Sequence, residues 1–239
     1  MSTEKPIAGQ VALVTGGSRG IGLAIAARLG RMGARVAICA RSAESLERAA
    51  EGLRRDAVET LAMAADVTRP AEVTALVERT RKSLGPVDIL VNNAGVGVFG
   101  PVHALRESDW DAVLDTNLKA VFLVSKEVAP EMIRRRTGQI INISSLAGKN
   151  AFANGSVYCA SKWGLLGLTF CMAEDLRTYG IRVSAVCPGT VATEFSPHAG
   201  KDPSKMLQPD DVAHAVAALV TQAPQSFISE VLLRPTQKP

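Results

Sequence analysis

The stretch QVALVTGGSRGIGLAIAARLGRMGARVAICA, residues 10–40, decides the fold. It begins with a short apolar run, passes through a glycine-rich turn into an alanine- and leucine-rich segment, and ends after a glycine in a second apolar run. Apolar runs without alternating polar residues are typical of strands buried on both faces. The stretch therefore predicts two parallel strands joined by a crossover helix.

The glycine-rich turn, TGGSRGIG at residues 15–22, lies between the first strand and the first helix. Gly16, Gly20 and Gly22 remove side chains where the backbone turns sharply and can approach a pyrophosphate. The helix that follows presents free N–H groups and its positive dipole end to such a group. The spacing departs from strict GxGxxG, and the turn alone is weak evidence. Its place between a strand and a helix favours a nucleotide site.

The same alternation of strand and helix continues to the end of the chain. It predicts one α/β domain over residues 1–239, with a Rossmann-type doubly wound sheet of seven parallel strands and helices on both faces. Ligands bind such sheets at the carboxyl ends of the strands. The predicted strands are 10–15, 35–40, 59–64, 87–92, 138–143, 181–187 and 229–233, and the predicted helices are 20–32, 43–55, 69–84, 107–135, 156–179 and 209–222.

Composition excludes several classes of protein. Hydrophobic residues make up 47% of the chain and charged residues 21%, which favours a large core over disorder. Aromatic residues make up only 4% and the net charge is +4 without a long basic tail, so a nucleic-acid partner is not expected. No signal-peptide pattern opens the chain, and no apolar run approaches the ~18 residues of a membrane span. We expect a cytoplasmic protein with no membrane partner.

The cysteines and histidines show no metal-binding spacing, so no metal site is expected. Cys39 and Cys187 fall in predicted strands and are interpreted as buried free thiols in a reducing compartment.

The end of the second predicted strand indicates which nucleotide binds. An NAD site usually carries Asp or Glu there to accept from the ribose 2′-hydroxyl, whereas this chain has Ala40 and then Arg41. Arg19, inside the glycine turn, adds a second cation. Two arginines can bind a 2′-phosphate through charge-assisted hydrogen bonds, so we predict NADP(H) rather than NAD(H). The alternative is that both arginines are merely exposed.

The sequence YCASK, residues 158–162, places Tyr158 and Lys162 four residues apart in a predicted helix. Side chains at that spacing share one face of a helix, so the phenol and the ammonium are expected to face the same space. An isolated pair of this kind is more often a surface tyrosine packed over a lysine stem. The motifs elsewhere in the chain decide between the two interpretations.

Together these motifs resemble the short-chain dehydrogenase/reductase family in its compact single-domain branch, over nearly the whole chain. The match rests on TGGSRGIG, ADV at 65–67, NNAG at 92–95, TNL at 116–118, ISS at 143–145, YCASK, and CPGTVAT at 187–193, in this order and at the family's spacing. The resemblance implies a catalytic set of Asn117, Ser145, Tyr158 and Lys162. It implies cofactor contacts from Gly16, Ser18, Arg19, Gly20, Ile21, Gly22, Arg41, Asp66, Val67, Asn93, Ala94, Gly95, Tyr158, Lys162, Pro188, Gly189, Val191 and Thr193.

The family pattern and the chemistry assign the same roles to these side chains. Hydride transfer to a carbonyl leaves an alkoxide that needs a proton, and Tyr158 can supply it. A positive charge on Lys162 at about 4 Å would be worth roughly 4 kcal/mol, enough to lower the pKa of Tyr158 by about 3 units at most before desolvation is subtracted. We expect a tyrosine pKa shifted toward neutral pH. Ser145, rather than Ser144, is expected to hydrogen-bond the substrate oxygen. By the family pattern, Asn117 bonds a helix carbonyl and a water.

The leading hypothesis is an NADP(H)-dependent reductase of ketones or 3-oxoacyl groups, similar to 3-oxoacyl-[acyl-carrier-protein] reductases. The alternatives are an alcohol or polyol dehydrogenase working in the oxidative direction and, more distantly, a non-catalytic NADP-binding regulatory protein. A small-molecule substrate is expected; the alternative is a substrate linked to an acyl carrier that meets Arg134 to Arg136. Those three arginines are otherwise interpreted as a solvated helix end.

Two segments depart from the family pattern. The substrate loop, about residues 194–208, is short and poor in apolar residues, which indicates an open or mobile site rather than a sterol-sized pocket. The chain ends in EVLLRPTQKP, without the Gly-Gly turn that many relatives have after the last strand. A standard tetramer is therefore in doubt, although helices 107–135 and 156–179 are apolar enough to form a homodimer or homotetramer.

Overall fold

A parallel sheet organises the part of the chain that the structure, a computed structural model, describes, residues 5–195 and 202–239. Its strands are β1 (Val11–Thr15), β2 (Arg35–Ala40), β3 (Thr60–Ala64), β4 (Ile89–Asn92), β5 (Gly138–Ile143), β6 (Ile181–Pro188) and β7 (Glu230–Leu233). They lie in the order β3-β2-β1-β4-β5-β6-β7, and every neighbouring pair is parallel. The prediction of a doubly wound, seven-stranded parallel sheet is confirmed.

Helices cover both faces of this sheet. They are α1 (Gly20–Arg31), α2 (Ala43–Arg55), α3 (Pro70–Ser83), α4 (Glu107–Leu114), α5 (Ala120–Arg135), α6 (Ser156–Arg177) and α7 (Pro209–Val220). Helices α1, α2 and α7 pack on one face, and α3, α5 and α6 pack on the other.

Alternate residues of each strand fill the two layers of the core. In β1, Ala12 and Val14 join the layer under α1, whereas Val11 and Leu13 join the layer under α5. All four side chains are fully buried. Burying a Val or Leu side chain contributes roughly 1.5–3 kcal/mol, so the unbroken apolar strands are the main source of cohesion between the layers.

The predicted helix 107–135 forms over its whole length but is not a regular α-helix throughout. A π-helical turn, Asp115–Lys119, lies between α4 and α5. Such turns hold one residue more than an α-helical turn and occur frequently at functional sites. Here the turn carries Asn117, whose side chain it directs into the protein, where the residue is 1% exposed.

The order of the strands places the candidate site. β1 lies between β2 on one side and β4 on the other, so the winding of the sheet reverses between β1 and β4. The loops that leave the carboxyl ends of these strands diverge there and leave a crevice, the usual ligand site of such sheets.

Candidate active site

The glycine turn after β1 is compact enough to exclude side chains at two positions. Gly16 has a φ of +66°, and a Cβ there would lie 2.9 Å from Nδ2 of Asn93. A Cβ at Gly22 would lie 2.2 Å from the carbonyl oxygen of Gly16, which no side chain can tolerate. The turn therefore presents bare backbone to the cleft.

Helix α1 begins at this turn with its first N–H groups uncapped. The side chain of Arg19, the residue before the helix, makes no capping hydrogen bond, and the first turn holds no acidic residue. A Cβ at Gly20 would meet only the side chain of Thr193, at 3.4 Å, so space remains above the helix end. Free N–H donors and a positive dipole end fit the pyrophosphate of a dinucleotide.

Hydrogen bonds between the ends of β1 and β4 hold the glycine turn in place. The hydroxyl of Thr15 accepts from the backbone N–H of both Asn93 and Ala94, each at 3.0 Å. The Asn93 amide donates to the carbonyls of Thr15 at 2.9 Å and Gly16 at 3.2 Å. The Asn93 side chain thus positions the turn, while its backbone faces the cleft.

The adenosine end of the cleft is exposed and rich in charge. Arg41 lines it directly after β2. Burial raises the pKa of Asp66, but hydrogen bonds from Thr68 and the charges of Arg41 and Arg69 outweigh this effect, so its pKa lies below the usual range. Helix α2 begins beside Arg41, where the Ser42 hydroxyl caps it by accepting from the N–H of Ser45 at 3.3 Å. An arginine next to a helix N-terminus, with no carboxylate at the end of β2, fits a 2′-phosphate.

Arg19 already has an acidic partner across the cleft. Its guanidinium pairs with Glu194, in the loop after β6, at 2.5 Å, and both side chains are largely exposed. Glu194 was not among the predicted site residues. Its position directly after Thr193 was the available signal.

The reacting end of the cleft brings three of the predicted catalytic side chains together. Tyr158 and Lys162 lie one turn apart on α6, and Ser145 follows β5. The Ser145 hydroxyl accepts from the N–H of Ala147 at 3.1 Å, and it acts on the Tyr158 hydroxyl to lower its pKa. Lys162 is 5% exposed; its Nζ donates to the carbonyl of Ile143 at 2.9 Å and lies 5.8 Å from the centre of the Tyr158 ring.

The expected direction of the tyrosine pKa shift is wrong for this structure. Burial raises the pKa of Tyr158 to about 12, and the hydrogen bond from Ser145 only reduces that effect. Burial also lowers the pKa of Lys162 to about 8. Lys162 Nζ lies 5.8 Å from the centre of the Tyr158 ring and does not offset the rise, so desolvation of the phenolate decides the direction of the shift.

The partners of Asn117 also differ from those expected. Its amide accepts from the N–H of Val96 at 2.8 Å and donates to the Val96 carbonyl at 2.9 Å. It also donates to the hydroxyl of Ser161 at 3.0 Å, which in turn donates to the Tyr158 carbonyl at 2.7 Å. The carbonyl bonded to Asn117 belongs to the loop after β4, not to a helix, because the π-helical turn directs the amide toward that loop.

A chain of polar contacts starts at Ser144, which lines the cleft and whose hydroxyl donates to the Lys162 carbonyl at 3.4 Å. The Cys187 thiol donates to the Glu230 carboxylate at 3.6 Å, and Glu230 pairs with Lys149 at 2.9 Å. Burial, reinforced by Glu230 and only partly offset by Lys149 and Ser144, raises the pKa of Cys187 to about 12, so the thiol stays protonated. Ser144 thus acts on α6 and Cys187, whereas Ser145 acts on Tyr158.

Nearly all the predicted site residues line one cleft of about 1500 Å³. Every predicted cofactor residue lines it, together with Ser145, Tyr158 and Lys162. Asn117 is buried and does not line the cleft. Of the predicted substrate loop 194–208, residues 196–201 lie outside the described residues.

Two sets of lining residues were not predicted as site residues. The first set is three phenylalanines, one from each of the loops that follow β4, β5 and β6: Phe99, Phe152 and Phe195. The rings of Phe99 and Phe195 pack against Tyr158, and that of Phe152 packs against Phe99. The segment 234–239 after β7 forms another part of the wall. The signal for the second set was topological, because β7 neighbours β6 and its carboxyl end must open at the same edge.

The arginine run Arg134 to Arg136 does not face the cleft. It ends α5 just before β5 begins, at the edge of the sheet opposite the carboxyl ends of the strands. Arg134 pairs with Glu131, Arg135 pairs with Asp88, and Arg136 donates to the Thr178 carbonyl. The interpretation as a helix end fits this placement, whereas docking of a carrier at this run would leave its cargo on the wrong side of the sheet.

Within the described residues, no group of three or more His, Cys, Asp or Glu side chains could hold a metal ion. Over the same residues, none of the helices combines the length and the apolar character needed to cross a bilayer.

Comparison with known proteins agrees with this geometry. The family description "short chain dehydrogenase" matches residues 10–204. A putative ketoacyl reductase of Streptomyces coelicolor is 44% identical over 189 residues, which cover 78% of this chain and 72% of that protein. A 3-oxoacyl-[acyl-carrier-protein] reductase of Staphylococcus epidermidis is 38% identical over 221 residues, covering 88% and 91%.

Among solved structures, a metagenomic short-chain oxidoreductase in complex with NADP has a TM-score of 0.87 and 46% identity, covering 98% of this chain and all of that one. A family match over most of the chain, joined to close relatives along nearly its full length, settles the classification. The chain belongs to the short-chain dehydrogenase family.

Proposed function

We propose that this chain, as one domain over residues 1–239 with its substrate loop near 194–208, is an NADP(H)-dependent reductase that converts a ketone or 3-oxoacyl group into an alcohol. The observation that carries the proposal is that Ser145, Tyr158 and the buried Lys162 ammonium line one end of a single cleft, with Lys162 Nζ 5.8 Å from the centre of the Tyr158 ring. Family membership makes the chain an oxidoreductase. The names of its ketoacyl and 3-oxoacyl reductase relatives support a carbonyl substrate.

The coenzyme end of the cleft supports the choice of NADP(H). The uncapped N-terminus of α1 would hold the pyrophosphate, and Arg41 with the N-terminus of α2 would hold the 2′-phosphate. When bound, the reduced nicotinamide supplies the hydride that forms the new C–H bond while the carbonyl π bond breaks.

The chain's own residues handle the proton and the developing charge. Ser145 donates a hydrogen bond to the carbonyl oxygen as negative charge grows there. Tyr158 gives its proton to the same oxygen, and the Lys162 ammonium stabilises the phenolate that remains. Solvent then returns a proton to Tyr158.

The raised pKa of Tyr158 favours reduction over oxidation. At neutral pH a phenol with a pKa of about 12 is protonated, which is the form that donates to a newly formed alkoxide. Oxidation of an alcohol needs the phenolate as base, and that form is scarce below pH 10 or so. The alcohol or polyol dehydrogenase is therefore the second candidate.

A substrate panel tests the proposal. We expect steady-state oxidation of NADPH with ketones or 3-oxoacyl thioesters, and slower reduction of NADP⁺ with the matching alcohols at pH 7. Faster alcohol oxidation at that pH would favour the dehydrogenase. Activity with no member of the panel, in protein shown by calorimetry to bind NADPH, would favour the regulatory alternative.

We also expect a homodimer or homotetramer. Trp110, Phe122 and Trp163 are all about half exposed on α4, α5 and α6, the helices on which a second subunit is expected. Light scattering at micromolar concentration would give a dimeric or tetrameric mass, and a monomer would contradict this.

A further inference from the structure

The reacting end of the cleft concentrates aromatic side chains in a chain that has few of them. The whole sequence contains 6 phenylalanines, 2 tyrosines and 2 tryptophans. Three of the phenylalanines, Phe99, Phe152 and Phe195, line the cleft together with Tyr158. Since the core of this protein is built from Val, Ile, Leu and Ala, an aromatic cluster is not its usual way of filling space.

These rings are arranged around the proposed acid. The ring centres of Phe99 and Phe195 lie 5.4 Å and 5.8 Å from that of Tyr158, at tilts of 60° and 52°. Phe152 packs against Phe99, with ring centres 6.2 Å apart, so that Phe99, Phe152 and Phe195 form an aromatic wall beside Tyr158. A group attached to the carbonyl carbon would therefore meet aromatic rings close to Tyr158.

Two glycines make room for this wall. A Cβ at Gly97 would lie 2.8 Å from the Phe99 ring and 3.2 Å from the Phe195 ring. A Cβ at Gly155 would lie 2.6 Å from the Phe152 ring. Side chains at either position would displace the rings, so the loop backbones are fitted to the rings.

The wall is open rather than buried. Phe152 is 49% exposed and Phe195 is 41% exposed, although both border a deep cleft. Large apolar surface left open at a concave site marks a place where a ligand binds.

We propose that the substrate is a ketone with an aromatic ring on or next to its carbonyl carbon. This inference rests on the proposed reductase function and narrows its substrate class. A substrate ring that pairs with these phenylalanines would gain binding energy beyond the area that it buries, whereas a linear acyl chain would gain only the burial of its surface.

The net charge of the cleft disfavours a cation, the other kind of ligand that binds over aromatic faces. Five basic residues line it against two acidic ones: Arg19, Arg41, Lys162, Arg234 and Lys238 against Asp66 and Glu194. A neutral aryl ketone avoids this repulsion.

Matched ketones test the inference. Acetophenone and cyclohexyl methyl ketone have the same carbon skeleton and differ in whether the ring is aromatic. We would measure kcat/KM with NADPH for both in the wild type, in Phe152→Leu, Phe195→Leu and the double variant, and in the control Phe227→Leu. Phe227 is 38% exposed and does not line the cleft.

We expect the double variant to lower the ratio of aryl to cyclohexyl kcat/KM by about fivefold or more, as lost aromatic contacts predict, while the control leaves it unchanged. Comparing this ratio between variant and wild type cancels the intrinsic reactivity of each ketone. Calorimetry with the same two ketones on the NADP⁺ complex, which has no hydride to transfer, should show the same change in binding without turnover.

If the double variant lowers kcat/KM equally for both ketones, or for neither, the ratio is unchanged. That result would overturn the inference and leave the reductase function intact. If the wild type reduces neither these ketones nor any member of the wider panel, the proposed function fails, and the inference fails with it.

Discussion

The two ends of the cleft are built in opposite ways. At the reacting end the proposed catalytic groups are buried side chains: Lys162 is 5% exposed, and the amide of Asn117 makes three hydrogen bonds inside the protein. At the adenosine end the proposed coenzyme contacts are exposed cations, Arg19 and Arg41, beside bare backbone. Burial strengthens the electrostatic interactions of each buried group, whereas solvent weakens those of each exposed charge. Single substitutions should therefore cost most at the reacting end.

The largest effect is expected from Tyr158→Phe. Without the hydroxyl proton, kcat for ketone reduction should fall by about 10²–10⁴, the usual contribution of a general acid. The Kd for NADPH, measured by fluorescence titration, should change less than about threefold, since only the hydroxyl is removed. The control is Tyr179→Phe, which removes the chain's other tyrosine hydroxyl. Near-normal turnover would refute the assignment of the acid.

Arg41→Ala should weaken the adenosine end selectively. Loss of a charge-assisted contact to the 2′-phosphate should raise KM for NADPH about tenfold or more and leave KM for NADH nearly unchanged. Arg69→Ala is the matched control, because Arg69 also acts on the charge of Asp66 but does not line the cleft. Equal weakening of both coenzymes would contradict the 2′-phosphate contact.

The pH dependence of reduction should report on the buried ammonium. Burial lowers the pKa of Lys162 to about 8, so its positive charge is present below that pH and is lost above it. We expect kcat with NADPH to be level below pH 8 and to fall by up to about tenfold per pH unit above it. Circular dichroism at each pH would verify that the protein stays folded, and a level profile through pH 9.5 would contradict the role of Lys162.

The smallest effect is expected from Glu194→Gln. The mutation frees Arg19 from an exposed ion pair, and such pairs are worth about 0–1 kcal/mol, so NADPH should bind at most about fivefold more tightly. Glu174→Gln breaks a comparably exposed pair with Arg177 outside the cleft and serves as the control. Weaker binding of NADPH by Glu194→Gln would show that Glu194 orders the turn rather than competing for Arg19.

The strands and the gathering of the site were predictable because both follow from local sequence. Buried parallel strands are unbroken apolar runs, and β2 and β5 begin and end where predicted. Residues such as Asp66, Ser145 and Gly189 each follow a strand, so the sheet brings them to one edge.

The features that could not be predicted from the sequence depend on contacts between distant segments. The π-helical turn at 115–119 leaves no residue pattern distinct from that of an α-helix. The high pKa of Tyr158 depends on how deeply the ring is buried. The aromatic wall combines Phe99, Phe152 and Phe195 from three loops, and each of them alone is an unremarkable apolar residue.

The amide of Asn117 ties the loop that leads to Phe99 to the helix that carries Tyr158. We therefore expect that substituting other side chains at positions 99, 152 and 195 would change which ketones are accepted, while the orientation of Tyr158, the proposed proton donor, is preserved. Changing residue 117 itself would misalign pocket and donor together, and no redesign of the rings would restore them.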